Sequence, residues 1–192
     1  MVYLQKTKNH SKKKITYYKE RDENKRQAFL KVIEGISKSQ LVYVDESGIE
    51  QFLCRPYARS FRGIPVYGSI SGKRYERESF IAAKLDHKIL APLCYKGTCN
   101  TALFNMWVEK MLVPELSAGQ IVIMDNAAFH KSLKTRELIE KKGCRLVFLP
   151  PYSPDLNPIE IFWANFKRQI RKILNQFNTL SQAIDHAFLC VI

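Results

Sequence analysis

Three acids stand out for where they fall along the chain. Asp45 follows the apolar run LVYV, Asp125 follows IVIM, and Glu160 comes just after a loop carrying four prolines in LPPYSPDLNPIEIFWANFKRQIRK. Two carboxylates at the ends of buried strands and a third in the first turn of a helix can converge on one point of a folded sheet. Gathering three carboxylates raises their pKa values by mutual repulsion, so a shared divalent cation is the natural compensation. All-oxygen ligation favours Mg2+ or Mn2+ over zinc. Two such ions about 4 Å apart activate a water or a 3′-hydroxyl and stabilise the leaving oxygen of a phosphodiester. Asp45, Asp125 and Glu160 are therefore the expected catalytic and metal-binding residues, with two ions.

Each acid has a plainer explanation when taken alone. With Asn157 as N-cap and Pro158 in the first helical position, Glu160 would complete a capping box. Asp45 and Asp125 would be ordinary strand-end turn residues. Their joint placement on strand, strand and helix is what favours a metal site. Glu46 and Asn126 point to the opposite sheet face from their neighbours, and Asp155 is the rival to Glu160 within the proline loop. His130, just past Asp125, is a candidate for proton shuttling or a DNA contact, with a structural hydrogen bond as the favoured plainer reading. Five cysteines, Cys54, Cys94, Cys99, Cys144 and Cys190, form no paired close spacing and are expected to be free thiols. A metal held by Cys94, Cys99 and His130 is the lesser alternative.

Thirty-one Lys and Arg against eighteen Asp and Glu give a net charge of +13 over 192 residues, which asks for a polyanionic partner. Double-stranded DNA is the expected one. Candidate contacts are Lys12, Lys13 and Lys14 in a lysine-rich arm, His130 and Lys131, and Lys167, Arg168 and Arg171 on the helix after Glu160. No window approaches the roughly 18 consecutive apolar residues of a membrane span, so no membrane partner and a cytoplasmic, nucleoid-associated protein are expected.

The elements that must carry these residues follow from periodicity. A helix is predicted from about Tyr18 to Ile36, then the strand that delivers Asp45, then a hairpin or inserted loop over residues 46–77. SFIAAKL and KILAPLCY read as strands joined by a turn at Asp86-His87. A helix capped by Asn100 or Thr101 ends before Pro114. The strand before Asp125 is followed by a polar helix stopped at Gly143, then the strand CRLVFL and the proline loop. Ile159, Phe162, Trp163, Phe166, Ile170 and Ile173 then form one apolar helical stripe, and Thr179 with Gln182 opens a last helix through a capping box. The order specifies an α/β fold, a ribonuclease-H-like mixed sheet of a three-strand antiparallel meander plus two parallel strands, flanked by helices. Residues 1–16 are a basic arm and residues 17–192 one catalytic domain. In an open sheet of this kind the ligand site lies at the carboxyl ends of adjacent strands.

VDESG, IVIMDNAAFHKS and LPPYSPDLNPIEIFWANFKRQIRK together resemble the catalytic domain of mariner-like DDE transposases, particularly the bacterial insertion-sequence branch. The resemblance runs from about Tyr17 to the C-terminus, and the 35 positions between Asp125 and Glu160 fit that superfamily. It implies hydrolysis at transposon ends, then attack of the freed 3′-hydroxyl on target DNA, with Asp45, Asp125 and Glu160 as the metal-binding triad. It also implies terminal inverted repeats and target DNA as substrates and a possible homodimer. A separately encoded helix-turn-helix portion is a further implied partner, since relatives carry such domains ahead of this region. A catalytically inactive DNA-binding remnant and an RNA-cleaving nuclease of the same fold are the alternatives.

Overall fold

The computed structural model describes residues 18–51, 60–68, 72 and 77–190. Lys12, Lys13, Lys14 and Cys54 lie outside them. Five strands hydrogen-bond in the order β3-β2-β1-β4-β5. β1 (Leu41–Glu50), β2 (Arg77–Leu85) and β3 (Lys88–Tyr95) form the antiparallel meander, while β4 (Ile121–Met124) lies parallel to β1 and β5 (Arg145–Phe148) parallel to β4. Asp86 and His87 make the predicted two-residue turn, with Asp86 at φ 50°, a left-handed conformation that a short polar side chain tolerates.

Parallel neighbours need crossovers, and helices supply them. α2 (Thr101–Trp107) and its continuation connect β3 to β4, and α4 (Leu133–Lys141) connects β4 to β5. Strand side chains alternate between faces, so β1 sends Leu41 and Tyr43 to one core and Val42 and Val44 to the other. The first core is closed by α1 (Glu23–Ile33), α5 (Ile159–Ile173) and α6 (Leu180–Leu189), the second by α2 and α4. The predicted stripe on α5 holds: Ile159, Trp163, Phe166 and Ile170 are buried, and Phe162 and Ile173 pack at the margin. Phe80 of β2 meets the Trp163 ring at 4.9 Å and the Phe166 ring at 5.5 Å, fixing α5 on the sheet. Gly143 ends α4 at φ 79°, and Thr179 caps α6 by accepting the Gln182 amide at 3.2 Å.

Four boundaries differ from expectation, each for a local reason. α1 begins at Glu23 because Asp22 caps it, accepting the Lys25 amide at 3.1 Å. β1 does not stop at Asp45 but runs to Glu50, since β2 pairs with it along its whole later half. The helix at Thr101 does not end before Pro114. A π turn at Val108–Leu112, closed by the Val113 amide donating to the Val108 carbonyl, leads into α3 (Val113–Glu115) and absorbs a proline that a regular interior would reject. Finally, Asn157 does not cap α5. Pro158 occupies the cap position, no side chain bonds the first turn, and the buried Asn157 Oδ1 has no hydrogen-bond partner.

The rival acid Asp155 is taken up structurally. Arg26 of α1, buried to 5% exposure, donates two bonds to its carboxylate at 3.0 and 2.7 Å, tying α1 to the loop that precedes α5. This charge-assisted fork holds the Asp155 carboxyl below the usual range. Arg26→Ala is expected to cost about 1–3 kcal/mol, since it leaves a half-exposed carboxylate that water can still solvate. Urea unfolding should show a lower midpoint at unchanged slope.

Candidate active site

The sheet places the first two acids side by side. Parallel pairing of β1 with β4 ends at Tyr43–Ile123, so Asp45 stands just beyond it and Asp125 directly follows β4. Asp45 shares the face of Tyr43, which is the face covered by α5. From there the chain returns along β5, and the Leu149 amide still donates to Met124 at 2.9 Å. The proline loop then folds back, with Tyr152 at φ 54° and the Ser153 hydroxyl donating to the Pro151 carbonyl. Asn126 also donates its side-chain amide to the Leu149 carbonyl, stitching the ends of β4 and β5. α5 starts at the end of this loop with Glu160 in its first turn.

Asp45, Asp125 and Glu160 accordingly line one open cleft of about 370 Å3, together with Tyr152 and Asn157. They share the cleft without closing on a single point. Among the described residues no three His, Cys, Asp or Glu side chains form a group tight enough to hold a metal as they stand.

The electrostatics are uneven. Asp45 is 9% exposed, and its Oδ2 is buried with no hydrogen-bond partner. Burial first, then the carboxylates of Glu160, Glu46 and Asp125, push its pKa up to about 8. Asp125 is the opposite case. Burial pushes it up, but bonds from His130 and from the Ala127 amide at 2.8 Å outweigh this and hold it below the usual range. Lys167, two turns along α5 from Glu160, is half-buried. Burial lowers its pKa against the pull of the Glu160 carboxylate.

His130 is fully buried, so the expected DNA contact is wrong for this side chain. It packs against the Phe104 and Phe129 rings, at 4.3 and 4.5 Å, with Nδ1 2.6 Å from Asp125 Oδ1 and Nε2 2.8 Å from Glu46 Oε1. Burial alone would lower its pKa, but the two carboxylates raise it to about 9, so both ring nitrogens donate. Glu46 does face the opposite side from Asp45, as alternation requires, and its part in this bridge is the feature that the sequence did not disclose. Cys94 packs on the α5 side and Cys99 on the α2 side, which separates the alternative thiol set. The basic candidates Lys131, Arg168 and Arg171 are exposed, and the Lys131 amine sits 5.9 Å over the Phe148 ring.

Comparison with known proteins follows the same lines. The Tc3 transposase of Caenorhabditis elegans is 27% identical over 156 residues, which is 72% of this chain and 44% of that protein. The Mos1 mariner paired-end complex with Mg superposes with a TM-score of 0.64 at 15% identity, covering 93% of this chain and 63% of that one. The catalytic core domain of BIV integrase superposes with a TM-score of 0.51 at 11% identity, covering 79% and 82%. The fold is thus that of ribonuclease-H-like transposase and integrase cores, and this chain spans less than half of the curated relative. The profile of the DDE superfamily endonucleases matches residues 40–184, from the residue before β1 into α6, and the chain belongs to that family.

Proposed function

We propose that residues 17–192 form the catalytic domain of a DNA transposase, which hydrolyses phosphodiesters at transposon ends and joins the freed 3′-hydroxyl to target DNA. Asp45, Asp125 and Glu160 are its Mg2+- or Mn2+-holding residues, and two ions are the number this chemistry uses. One observation carries this reading. The buried Asp45 Oδ2 lacks any hydrogen-bond partner while three neighbouring carboxylates act on the same group, an arrangement that a cation relieves. The donor set fits the group, being all oxygen and partly exposed. When bound, the metal supplies charge stabilisation and an activated oxygen nucleophile.

The chain's own residues do the rest. β1 and β4 hold Asp45 and Asp125 on rigid backbone, and the prolines fix where α5 presents Glu160. Lys131, Arg168 and Arg171 meet the phosphates of double-stranded DNA at the terminal repeats and the target, and Lys167 reaches the cleft edge. The Mos1 mariner structure is a paired-end complex with Mg, which supports both a DNA partner and a divalent cation for this fold. In this scheme recognition of end sequences belongs to a helix-turn-helix portion outside residues 17–192, two copies bring two ends together, and the likeness of the proline-loop motif supports a place in the bacterial insertion-sequence branch.

Asp45→Asn, Asp125→Asn and Glu160→Gln should each reduce metal-dependent nicking of supercoiled plasmid below detection while circular dichroism stays unchanged. Nicking at the wild-type rate by any one of them would remove that residue from the assignment. Replacing Lys131, Arg168 and Arg171 by Ala should weaken binding similarly across DNA sequences. The slope of affinity against salt should fall by about 1 for each phosphate no longer neutralised, read from binding titrations at several salt concentrations.

The raised Asp45 pKa gives a signed pH dependence. Its unfolded value is near 3.8 and its folded value about 8, so over that window the folded chain keeps a proton which the unfolded chain has lost. Stability of the metal-free protein should fall as pH rises through it. A divalent cation replaces that proton, so the rise in melting temperature with Mn2+ should be small at pH 6 and large at pH 8.5. Asp45→Asn should flatten both trends in thermal melts.

A further inference from the structure

The bridge Glu46–His130–Asp125 spans the two faces of the sheet. Asp125 sits past the end of β4 on the cleft side, whereas Glu46 of β1 lies on the side packed by α2. His130 fits between them and packs against the Phe104 and Phe129 rings, with 0% exposure and contacts of 2.6 and 2.8 Å. The 3-10 turn Ala128–Lys131 carries it, and the Ala127 amide at that turn donates to the same Asp125 oxygen that the ring engages. Asp125 Oδ1 therefore already receives two donors.

We infer that His130 and Glu46 are positioning residues for Asp125, with Glu46 anchoring the His130 ring so that Asp125 Oδ1 is held by protein donors and Oδ2 is the oxygen offered to a divalent cation. This rests on the proposed metal site and adds two residues to it that never touch substrate. The physical basis is orientation. A carboxylate fixed by two donors on one oxygen loses the freedom to rotate about its last bond, and a ring pinned at both nitrogens cannot turn away from it. Glu46 supplies the second pin from a different strand, so the geometry of the β4 end is referred back to β1, which also carries Asp45. The spacing of two of the three acids is thereby set by one side-chain bridge as well as by the sheet.

Glu46 is half-buried beside an open groove that also exposes Arg77 and Tyr95, so a change there leaves room for water and need not disturb the core. The test is Mn2+ binding by calorimetry on the wild type, Glu46→Gln, His130→Gln and the double variant, with folding checked by circular dichroism. Outer partners of metal ligands typically alter affinity by about 10–100-fold. His130→Gln is expected to weaken Mn2+ by about that range and Glu46→Gln by a smaller factor. Adding Glu46→Gln to His130→Gln should weaken binding no further, because the anchor acts only through the ring. Wild-type affinity in folded Glu46→Gln, or independent additive losses in the double variant, would overturn the inference. Asp125→Asn serves as the reference for the site itself. If the wild type binds no Mn2+ more tightly than Asp125→Asn does, the metal site fails and the inference with it, a result distinct from the other two.

Discussion

Keeping the Asp45 carboxyl out of water, among three other carboxylates, is costly, and much of the architecture bears on it. A strand interior is a natural place for an apolar or aromatic side chain, and the four residues before Asp45 obey that rule. Asp45 breaks it at the point where the parallel partner β4 has ended, so its side chain meets open cleft on one side and buried backbone on the other. Consistency across levels of structure normally lapses only at functional positions, and this is where it lapses here. The ribonuclease-H-like sheet provides such a position because its order β1-β4 puts two strand ends together at a crossover.

Holding like charges close demands a stiff frame, and the frame is redundant. Trp163 and Phe166 fix α5 against Phe80 and Phe188, with ring separations from 4.2 to 5.5 Å. Its first turn is placed by the proline loop, which Arg26 secures from α1 through Asp155, and which Tyr18 also touches through Tyr152 at 5.6 Å. At the far edge, the meander contains a bulge where Ala91 takes φ 49° and β2–β3 pairing slips. Glu115 Oε1 accepts the Ala91 amide at 2.9 Å, and the Trp107 indole donates to the Ala91 carbonyl at 2.7 Å. The irregular helix around Pro114 thus completes the hydrogen bonding of an irregular strand.

Much of this was legible in the sequence because it depends on local pattern. Runs such as IVIM and RLVF declare buried strands, the α5 stripe declares its core face, and Asp86-His87, Gly143 and Thr179 declare a turn and two helix ends. The acids were legible because each follows such an element. What stayed hidden depends on partners distant in sequence. β1 looked finished at Asp45 because the patterning breaks over residues 46–77, yet β2, some thirty residues later, extends it to Glu50. Asn157 looked like a cap, but Pro158 takes the cap position and leaves its amide oxygen unpaired. His130 could be read as a structural hydrogen-bonding residue, but its partners could not. Nothing local announces that Glu46, 84 positions away, receives its second nitrogen.

The charge distribution shows why the basic excess is needed. A cleft lined by Asp45, Asp125 and Glu160 repels a phosphodiester backbone, and a strand of DNA would avoid it unless the surrounding field were strongly positive. The net charge of +13 provides that field, and α5 organises part of it: Glu160 stands at its first turn, Lys167 half-buried two turns on, and Arg168 and Arg171 exposed beyond. One helix therefore carries both a cleft acid and the cations proposed to draw phosphates towards it. The two lie on fixed positions of the same rigid rod, so a backbone seated on the arginines has its register relative to Glu160 already set. Asp45 and Asp125 belong to the sheet instead, and the aromatic packing of α5 is what locks the two reference frames together. A defect in that packing would shift the proposed phosphate contacts and Glu160 together, while leaving the other two acids in place.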